Sequence, residues 1–247
     1  MMRHKNQAVV HERNGNFHSY YVPGSPVDIL QASLRPDPDV LFSQGHPVCS
    51  GRSGNPRDLV KVVVGTRSYF IKRYNCQGGL YRVKNMFRAS RARRAMEAGQ
   101  LLLSLGVPTP EPLVCMEERH GRLLGDSYLI CPFLEGCHSL FDLWPGLELF
   151  RKRLYMQRLG ELLGTLHRSG VVHGDSNWRN ILVRAEGDAQ PQFWLVDLDG
   201  VRKYRHLTFV RAQRDTGHFL RELIRNDADE EFAQLFRHHW QKSLTLP

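Results

Sequence analysis

The chain has 247 residues, with 34 Lys and Arg against 25 Asp and Glu, a formal net charge of +9, 41% hydrophobic and 24% charged residues. That composition supports a packed core and excludes wholesale disorder, and the length suits one large domain or two small lobes around a cleft. No stretch approaches the roughly 18 apolar residues of a membrane span, the polar start has no apolar signal core, and the five cysteines form no C-x-x-C pair. The expectation is a reduced, cytoplasmic chain without structural zinc.

Residues 1–43 are interrupted by Pro23, Pro26, Pro36 and Pro38, with Asp28 to Leu34 as a short helix. Pro47 to Ser50 reads as a short strand, and Gly51-Arg52-Ser53-Gly54-Asn55 as a turn-rich loop. Asp58 to Val64 and Arg67 to Tyr74 are strands around the turn Gly65-Thr66, which makes an antiparallel meander. Ser90 to Leu105 is a helix with Ser90 as N-cap and Gly106, Pro108 and Pro110 as its stop signal. Ser127 to Phe133 is a strand. Glu148 to Ser169 is the strongest helix, with Phe150, Leu154, Leu159, Leu162, Leu163 and Leu166 at near-helical spacing. Ile181 to Arg184 and Gln192 to Val196 are strands joined by the hairpin signal Glu186-Gly187-Asp188, and Leu207 to Asn226 is a helix. A β-rich first half followed by a helix-rich second half gives an α+β class. Its divisions are an N-terminal extension over 1–43, an N-lobe over 44–134 and a C-lobe over 135–247.

The chemistry concentrates after the long helix, in Val171-Val172-His173-Gly174-Asp175-Ser176-Asn177-Trp178-Arg179-Asn180-Ile181-Leu182-Val183. Further on stands Asp197, in Leu195-Val196-Asp197-Leu198-Asp199-Gly200. Asn180 and Asp197 are hard oxygen donors at the ends of paired strands, a set that suits Mg²⁺, which takes one or two protein ligands plus substrate phosphates. Asp199 competes with Asp197 for that role; Asp197 is preferred because it directly follows the apolar strand. Asp175 is a further carboxylate, able to orient a hydroxyl and accept its proton. Phosphoryl transfer needs these parts and a cation on the donor phosphates. Lys72, inside the apolar strand Tyr69-Phe70-Ile71-Lys72, supplies one, unless it is an edge lysine in solvent. Gly51 and Gly54 let a backbone loop approach phosphates, or form a plain hairpin turn. Glu97 either pairs with Lys72 or balances Arg93 and Arg94 at helical spacing.

Together, H-G-D-x-x-x-x-N with I-L-V after it and a strand ending V-D-x-D resemble the catalytic core of the protein-kinase-like fold. H-G-D-x-x-W-R-N-I-L-V, L-V-D-L-D, Ile71-Lys72-Arg73-Tyr74-Asn75 and Gly106-Val107-Pro108-Thr109-Pro110-Glu111-Pro112 most resemble the lipopolysaccharide core sugar kinases, the Kdo/heptose kinase group. The resemblance covers roughly Val48 to Leu223. It implies a two-lobed fold, ATP and Mg²⁺ as cofactors, and a sugar hydroxyl of the lipopolysaccharide core as acceptor. It also implies Asp175 as catalytic base, Asn180 and Asp197 on Mg²⁺, and Lys72 on the ATP phosphates with Glu97 as partner. Ile130 to Phe133 would be the hinge against adenine, His173 a brace of the catalytic loop, and Asp215 its anchor from below. The chain departs from protein kinases in carrying Asn177 two positions after Asp175, Asp199 where Gly is usual, and a short segment from Asp197 to Asp215 with no A-P-E.

The basic balance bears on the partner. Arg82, Lys84, Arg88, Arg91, Arg93 and Arg94 occur with no acid among them, and Arg202, Lys203, Arg205, Arg211 and Arg214 form a second group. The first run is either a solvated helix face or a contact with an anionic glycolipid acceptor or with the inner leaflet, which would attach the protein peripherally. A cationic acceptor of the aminoglycoside or choline type fits the charge poorly. An atypical protein kinase of the small H-G-D type, with a ribonucleoprotein partner, is the rival reading, and nucleic acid is the weaker partner. A catalytically silent nucleotide-binding module is the third reading, and the complete set Lys72, Asp175, Asn180 and Asp197 argues against it.

Overall fold

The computed structural model describes residues 9–33, 38–48, 58–76, 78–184, 190–226 and 229–245. The chain divides into two compact units, Met1–Ser104 with Pro110–Leu134, and Leu105–Thr109 with Glu135–Pro247. The first is rich in sheet and the second in helix, as expected for the α+β class.

Among the described residues of the first unit, seven strands form one antiparallel sheet: β1 (Val10–Asn14), β2 (Phe17–Tyr21), β3 (His46–Pro47), β4 (Leu59–Val64), β5 (Arg67–Tyr74), β6 (Val114–His120) and β7 (Leu123–Pro132), in the order β1-β2-β6-β7-β5-β4-β3. The meander β3-β4-β5 follows the sequence pattern, although β3 sits at His46–Pro47, and Cys49, Ser50, Gly51 and Gly54 lie outside the described residues. The pair β1 and β2, inside the stretch read as an extension, adds an edge to the sheet. β1 is exposed along its whole length and offers no apolar alternation to betray a strand.

Strand alternation gives the sheet two distinct faces. Val60, Val62, Tyr69, Ile71, Val114, Met116, Tyr128 and Ile130 form one, packed with Ile29 of α1 (Val27–Ser33) and with Leu41 and Phe42 of α2 (Pro38–Ser43). Tyr69 and Tyr128 donate their hydroxyls to Asp28 (3.2 Å) and Asp39 (2.6 Å), so the two short helices are tied on by polar bonds as well as by burial.

The other face carries Lys72, Tyr74, Cys115 and Glu117 and receives α4 (Arg91–Ser104), which follows α3 (Gly78–Lys84). Ser90 caps α4, its Oγ accepting the Arg93 N–H at 3.0 Å, as its residue type suggested. Glu117 is fully buried and accepts the Ser90 N–H at 2.7 Å and Arg119 Nε at 3.1 Å. Arg119 in turn donates to the carbonyls of Met86 and Arg88. One buried carboxylate thus fixes the start of α4 on β6.

The second unit is built on α6 (Leu149–Arg168) and α8 (Glu230–Thr245), with α5 (Leu140–Leu143) before them and α7 (Phe209–Asn226) between. Three strands pair as β8 (His138–Ser139), β10 (Ile181–Arg184) and β11 (Gln192–Leu195), and β9 (Val171–Val172) pairs with β12 (Arg202–Lys203). The hairpin residues Glu186-Gly187-Asp188 lie outside the described residues. Leu159, Leu163 and Leu166 are fully buried, as the periodicity of α6 predicts, but Phe150 is exposed and Tyr155 and Met156 take its place inside. The helix turns a glycine face to α8: a Cβ on Gly160 would come within 2.6 Å of the Phe236 carbonyl, and one on Gly164 within 2.6 Å of the Trp240 carbonyl. Trp144, Trp178, Phe219, Phe232 and Phe236 pack as an aromatic core beside this seam, with Phe219 and Phe236 stacked and the other ring pairs tilted or edge-on.

The seam makes a stability prediction. Gly164→Ala is expected to cost about 1–3 kcal/mol through overpacking, lowering the thermal unfolding midpoint by roughly 2–10 °C for a chain of this size. Gly146→Ala, where a new Cβ meets nothing within 4 Å, is the control and leaves the midpoint in place. Equal midpoints for the two variants in a thermal scan contradict the close seam.

Candidate active site

The H-G-D loop leaves β9 at His173 and is held from inside by Asp215 of α7. The Asp215 carboxylate accepts the N–H groups of His173 (2.8 Å) and Gly174 (2.7 Å) and faces His167 Nε2 at 3.0 Å. Trp240 of α8 donates its indole N–H to His167 Nδ1 at 2.8 Å, so that nitrogen is the acceptor and Nε2 carries the proton given to Asp215. Burial pushes the Asp215 carboxyl up, but the bonds from His167, His173 and Gly174 outweigh it and hold the group below its ordinary value.

His173 is buried with both ring nitrogens engaged. Nε2 donates to the Val196 carbonyl at 3.1 Å, and Nδ1 accepts the Asp175 N–H at 3.3 Å. Desolvation keeps its pKa low, so the ring is the neutral Nε2–H tautomer. Gly174 has φ +86°, and a Cβ there would lie 2.6 Å from the Gly200 carbonyl. Backbone therefore packs on backbone where H-G-D meets D-x-D-G.

Asp175 emerges half-exposed and well held. Asn177 Nδ2 donates to its Oδ1 at 2.9 Å and Asn180 Nδ2 to its Oδ2 at 3.1 Å. Asn177 also caps the 3-10 turn Trp178–Asn180, its Oδ1 accepting the N–H groups of Arg179 and Asn180. The residue that marks the departure from protein kinases is thus a positioning residue for Asp175. Its signal was a cap-forming Asn just before W-R-N. His218 adds an imidazole, Nδ1 lying 4.0 Å from Asp175 Oδ1. In sequence it stands only as a histidine three positions after Asp215.

Asn180 and Asp197 stand at the adjoining ends of β10 and β11, joined by the bond from the Val196 N–H to the Asn180 carbonyl at 2.9 Å. Among the described residues Asp197 is the one non-glycine with positive φ (62°, ψ 61°). Such a backbone costs about 1–3 kcal/mol and persists only where the surroundings impose it. Asn180 spends its amide nitrogen on Asp175, both on the side chain and on the carbonyl at 3.0 Å, so its amide oxygen is the atom turned to other use. A carboxylate and an amide oxygen, two hard donors on residues at adjoining strand ends, fit Mg²⁺, which asks for few protein ligands. Among the described residues no group of three or more His, Cys, Asp or Glu forms a closed metal cage.

In the first unit Lys72 lies in one cross-strand row with Leu129, Cys115 and Tyr20, on the face that receives α4. Its ammonium sits 5.0 Å from the Tyr74 ring, and the Arg91 guanidinium lies at the same distance from that ring. Glu97 accepts Arg93 Nε at 3.1 Å, the helical-spacing partner named as the alternative to Lys72. Ile130 is fully buried in the core of the opposite face, and its carbonyl accepts the Leu113 N–H. Phe133 donates its N–H to the Ser68 carbonyl, and its ring lies 4.2 Å from Lys61 Nζ. Burial pushes the Cys115 thiol well up and that of Cys131 up to about 12, so neither is a nucleophile at neutral pH.

The sequence profile of the lipopolysaccharide kinase (Kdo/WaaP) family matches residues 53–242. The chain belongs to this family. It is therefore a kinase, a phosphotransferase with a sugar hydroxyl as acceptor. The 3-deoxy-D-manno-octulosonic acid kinase of Xylella fastidiosa (strain M23) is 28% identical over 190 residues, 74% of this chain and 70% of the relative. The enzyme of the same name from Vibrio parahaemolyticus serotype O3:K6 is 27% identical over 220 residues, 84% of this chain and 89% of the relative. A solved structure described as WaaP in complex with acyl carrier protein superposes with a TM-score of 0.64 over 87% of this chain and 86% of that one, at 16% identity, and shows that the fold is shared. No described helix of this kinase is long and apolar enough to cross a membrane.

The two depressed groups set a pH dependence. His173 stays neutral when folded, so below about pH 6.5 the unfolded chain takes up a proton that the folded one refuses, and stability falls. Asp215 adds a second loss at lower pH: its contribution is present above the ordinary carboxyl value of 3.8 and disappears as pH drops through the lower folded one. Urea unfolding at pH 7.5 and 5.5 is expected to show a smaller pH loss for His173→Gln than for the wild type, by up to about 1.4 kcal/mol per pH unit. Identical losses contradict a buried neutral His173.

Proposed function

We propose that this kinase transfers the γ-phosphoryl group of ATP, with Mg²⁺, to a hydroxyl of a 3-deoxy-D-manno-octulosonic acid residue in the lipopolysaccharide core. The observation that carries the reading is Asp175, a half-exposed carboxylate whose two oxygens are aimed by Asn177 and Asn180. The names of the relatives favour this sugar over heptose. A peripheral position at the inner face of the membrane fits an acceptor of this kind.

In this reading Asp175 orients the acceptor hydroxyl and receives its proton as the oxygen attacks phosphorus. Asn177 and Asn180 hold the carboxylate in one rotamer, which removes orientational freedom before the reaction. Asn180 and Asp197 would hold Mg²⁺, which, when bound, neutralises charge on the donor phosphates. Lys72 would add a cation on the phosphates, with Glu97 as partner in the nucleotide-bound form. Gly51 and Gly54 would let the backbone approach them, and the stretch from Ile130 to Phe133 would meet adenine.

The test is the core itself. In cells carrying Asp175→Ala, ³¹P NMR and mass spectrometry of the core should show one phosphate missing. In purified protein, turnover should fall about 10²–10⁴-fold, the share a positioned general base supplies. Fragmentation of the wild-type product locates the phosphate on one sugar. A core that is phosphorylated alike in both strains refutes the reading, and a phosphate on heptose corrects the acceptor.

A further inference from the structure

The outer face of α7 carries Arg211, Arg214, His218, Arg221 and Arg225. Their spacing, alternately three and four, keeps them on one side of the helix. The inward side is Ala212, Asp215, Thr216, Phe219 and Leu223, all buried. The four arginines are exposed, and the His218 side chain is 44% exposed. Like charges at these spacings repel and weaken a helix. Glu222, bonded to Arg225 at 3.3 Å, flanks the row, and Asp215 is committed to the catalytic loop.

The row also touches the reaction centre. His218 Nδ1 is 4.0 Å from Asp175 Oδ1, and Arg221 donates to that nitrogen at 3.0 Å. An anionic group held by His218 and Arg221 would therefore lie beside the molecule whose hydroxyl meets Asp175. Guanidinium forks match carboxylate and phosphate in two-point bonds. We propose that the α7 row is the acceptor subsite, binding the carboxylate and phosphate groups of an anionic saccharide chain, with His218 and Arg221 on the group nearest the reacting hydroxyl. This rests on the kinase reading above and adds to it what the acceptor must carry next to that hydroxyl. The occupant is the saccharide rather than a lipid leaflet, because the middle of the row, at His218, lies beside the proposed base.

The test uses a deacylated core oligosaccharide that retains its phosphates, which removes the membrane from the assay. The full-length double variant Arg214→Gln/Arg221→Gln is expected to raise KM for this acceptor about tenfold or more. Its KM for ATP should stay within about twofold, its thermal midpoint should not fall, since two mutually repelling cations are removed, and the salt dependence of kcat/KM should be weaker. The double Arg→Lys variant should recover part of the affinity. An unchanged acceptor KM overturns the proposal. So does an unchanged KM joined to lost retention on anionic phosphatidylglycerol vesicles, which would make the row a membrane contact. If the wild type fails to phosphorylate the oligosaccharide, the kinase assignment of this acceptor fails on its own. Titration of the same oligosaccharide then decides the row: binding that the double variant loses supports it, and equal or absent binding overturns it.

Discussion

A buried carboxylate must have its lone pairs met by donors, because an uncompensated charge in the interior is strongly destabilising. Asp215 is such a group, and it takes its donors from the H-G-D loop on one side and from His167 on the other. The requirement runs in both directions. The loop backbone at His173 and Gly174 has buried N–H groups that need acceptors, and Asp215 is the acceptor that the fold supplies. His167 must present Nε2–H, and it does so because Trp240 occupies Nδ1. Three helices and one loop are thereby coupled through a single polar chain, and the position of Asp175 inherits its rigidity.

A second constraint is steric. Gly174 and Gly200 bring two backbones into contact, which admits no side chain at Gly174 and leaves only tight room at Gly200, and the segment after β11 lies against the H-G-D loop. Asp197 lies in that segment with a left-handed backbone, and the bond between Val196 and Asn180 sets the two predicted ligands side by side. The strain at Asp197 is held by its surroundings: the Val196 carbonyl occupied by His173, the β11 pairing before it and the glycine contact after it. The close approach and the strain serve one arrangement, in which Asp175, Asn180 and Asp197 are fixed by backbone contacts and buried side chains.

Much of this was legible in the sequence, for identifiable reasons. Strands β4, β5, β10 and β11 and helices α4 and α6 are built on local patterns, with apolar alternation, a capping Ser90 and glycine stops. The order of Lys72, Asp175, Asn180 and Asp197 is likewise written in motif spacing. What was not legible depends on distant partners. Strand β2 holds to β6, a segment far along the chain, and carries β1 at the edge; β1 is exposed along its whole length and β2 buries only Ser19. The glycines of α6 have meaning only against α8. His218 and Asn177 acquire roles from a geometry that places one opposite Asp175 and the other beneath it.

Charge density along the chain is a poor guide to where the charge is presented. The dense run from Arg82 to Arg94 is largely engaged within its own unit. Arg82 donates to the Leu124 carbonyl, Arg91 lies over Tyr74, Arg93 lies over Tyr20 and pairs with Glu97, and Arg94 donates to the Ala89 carbonyl. These bonds fix α4 and the segment before it, and their cations lose freedom in doing so. The cations of α7 are spread more thinly in sequence, yet the helix gathers them on one side with all four arginines exposed, although Arg211 lies over Tyr204 and Arg225 pairs with Glu222 at the two ends of the row. A cation spent on a ring or a carbonyl meets a structural need, whereas aligned, mutually repelling cations lower the stability of their own helix. Such a row makes physical sense when an anion brought by the substrate relieves the repulsion, and the middle member of this one, His218, lies beside Asp175, the base proposed for the acceptor hydroxyl.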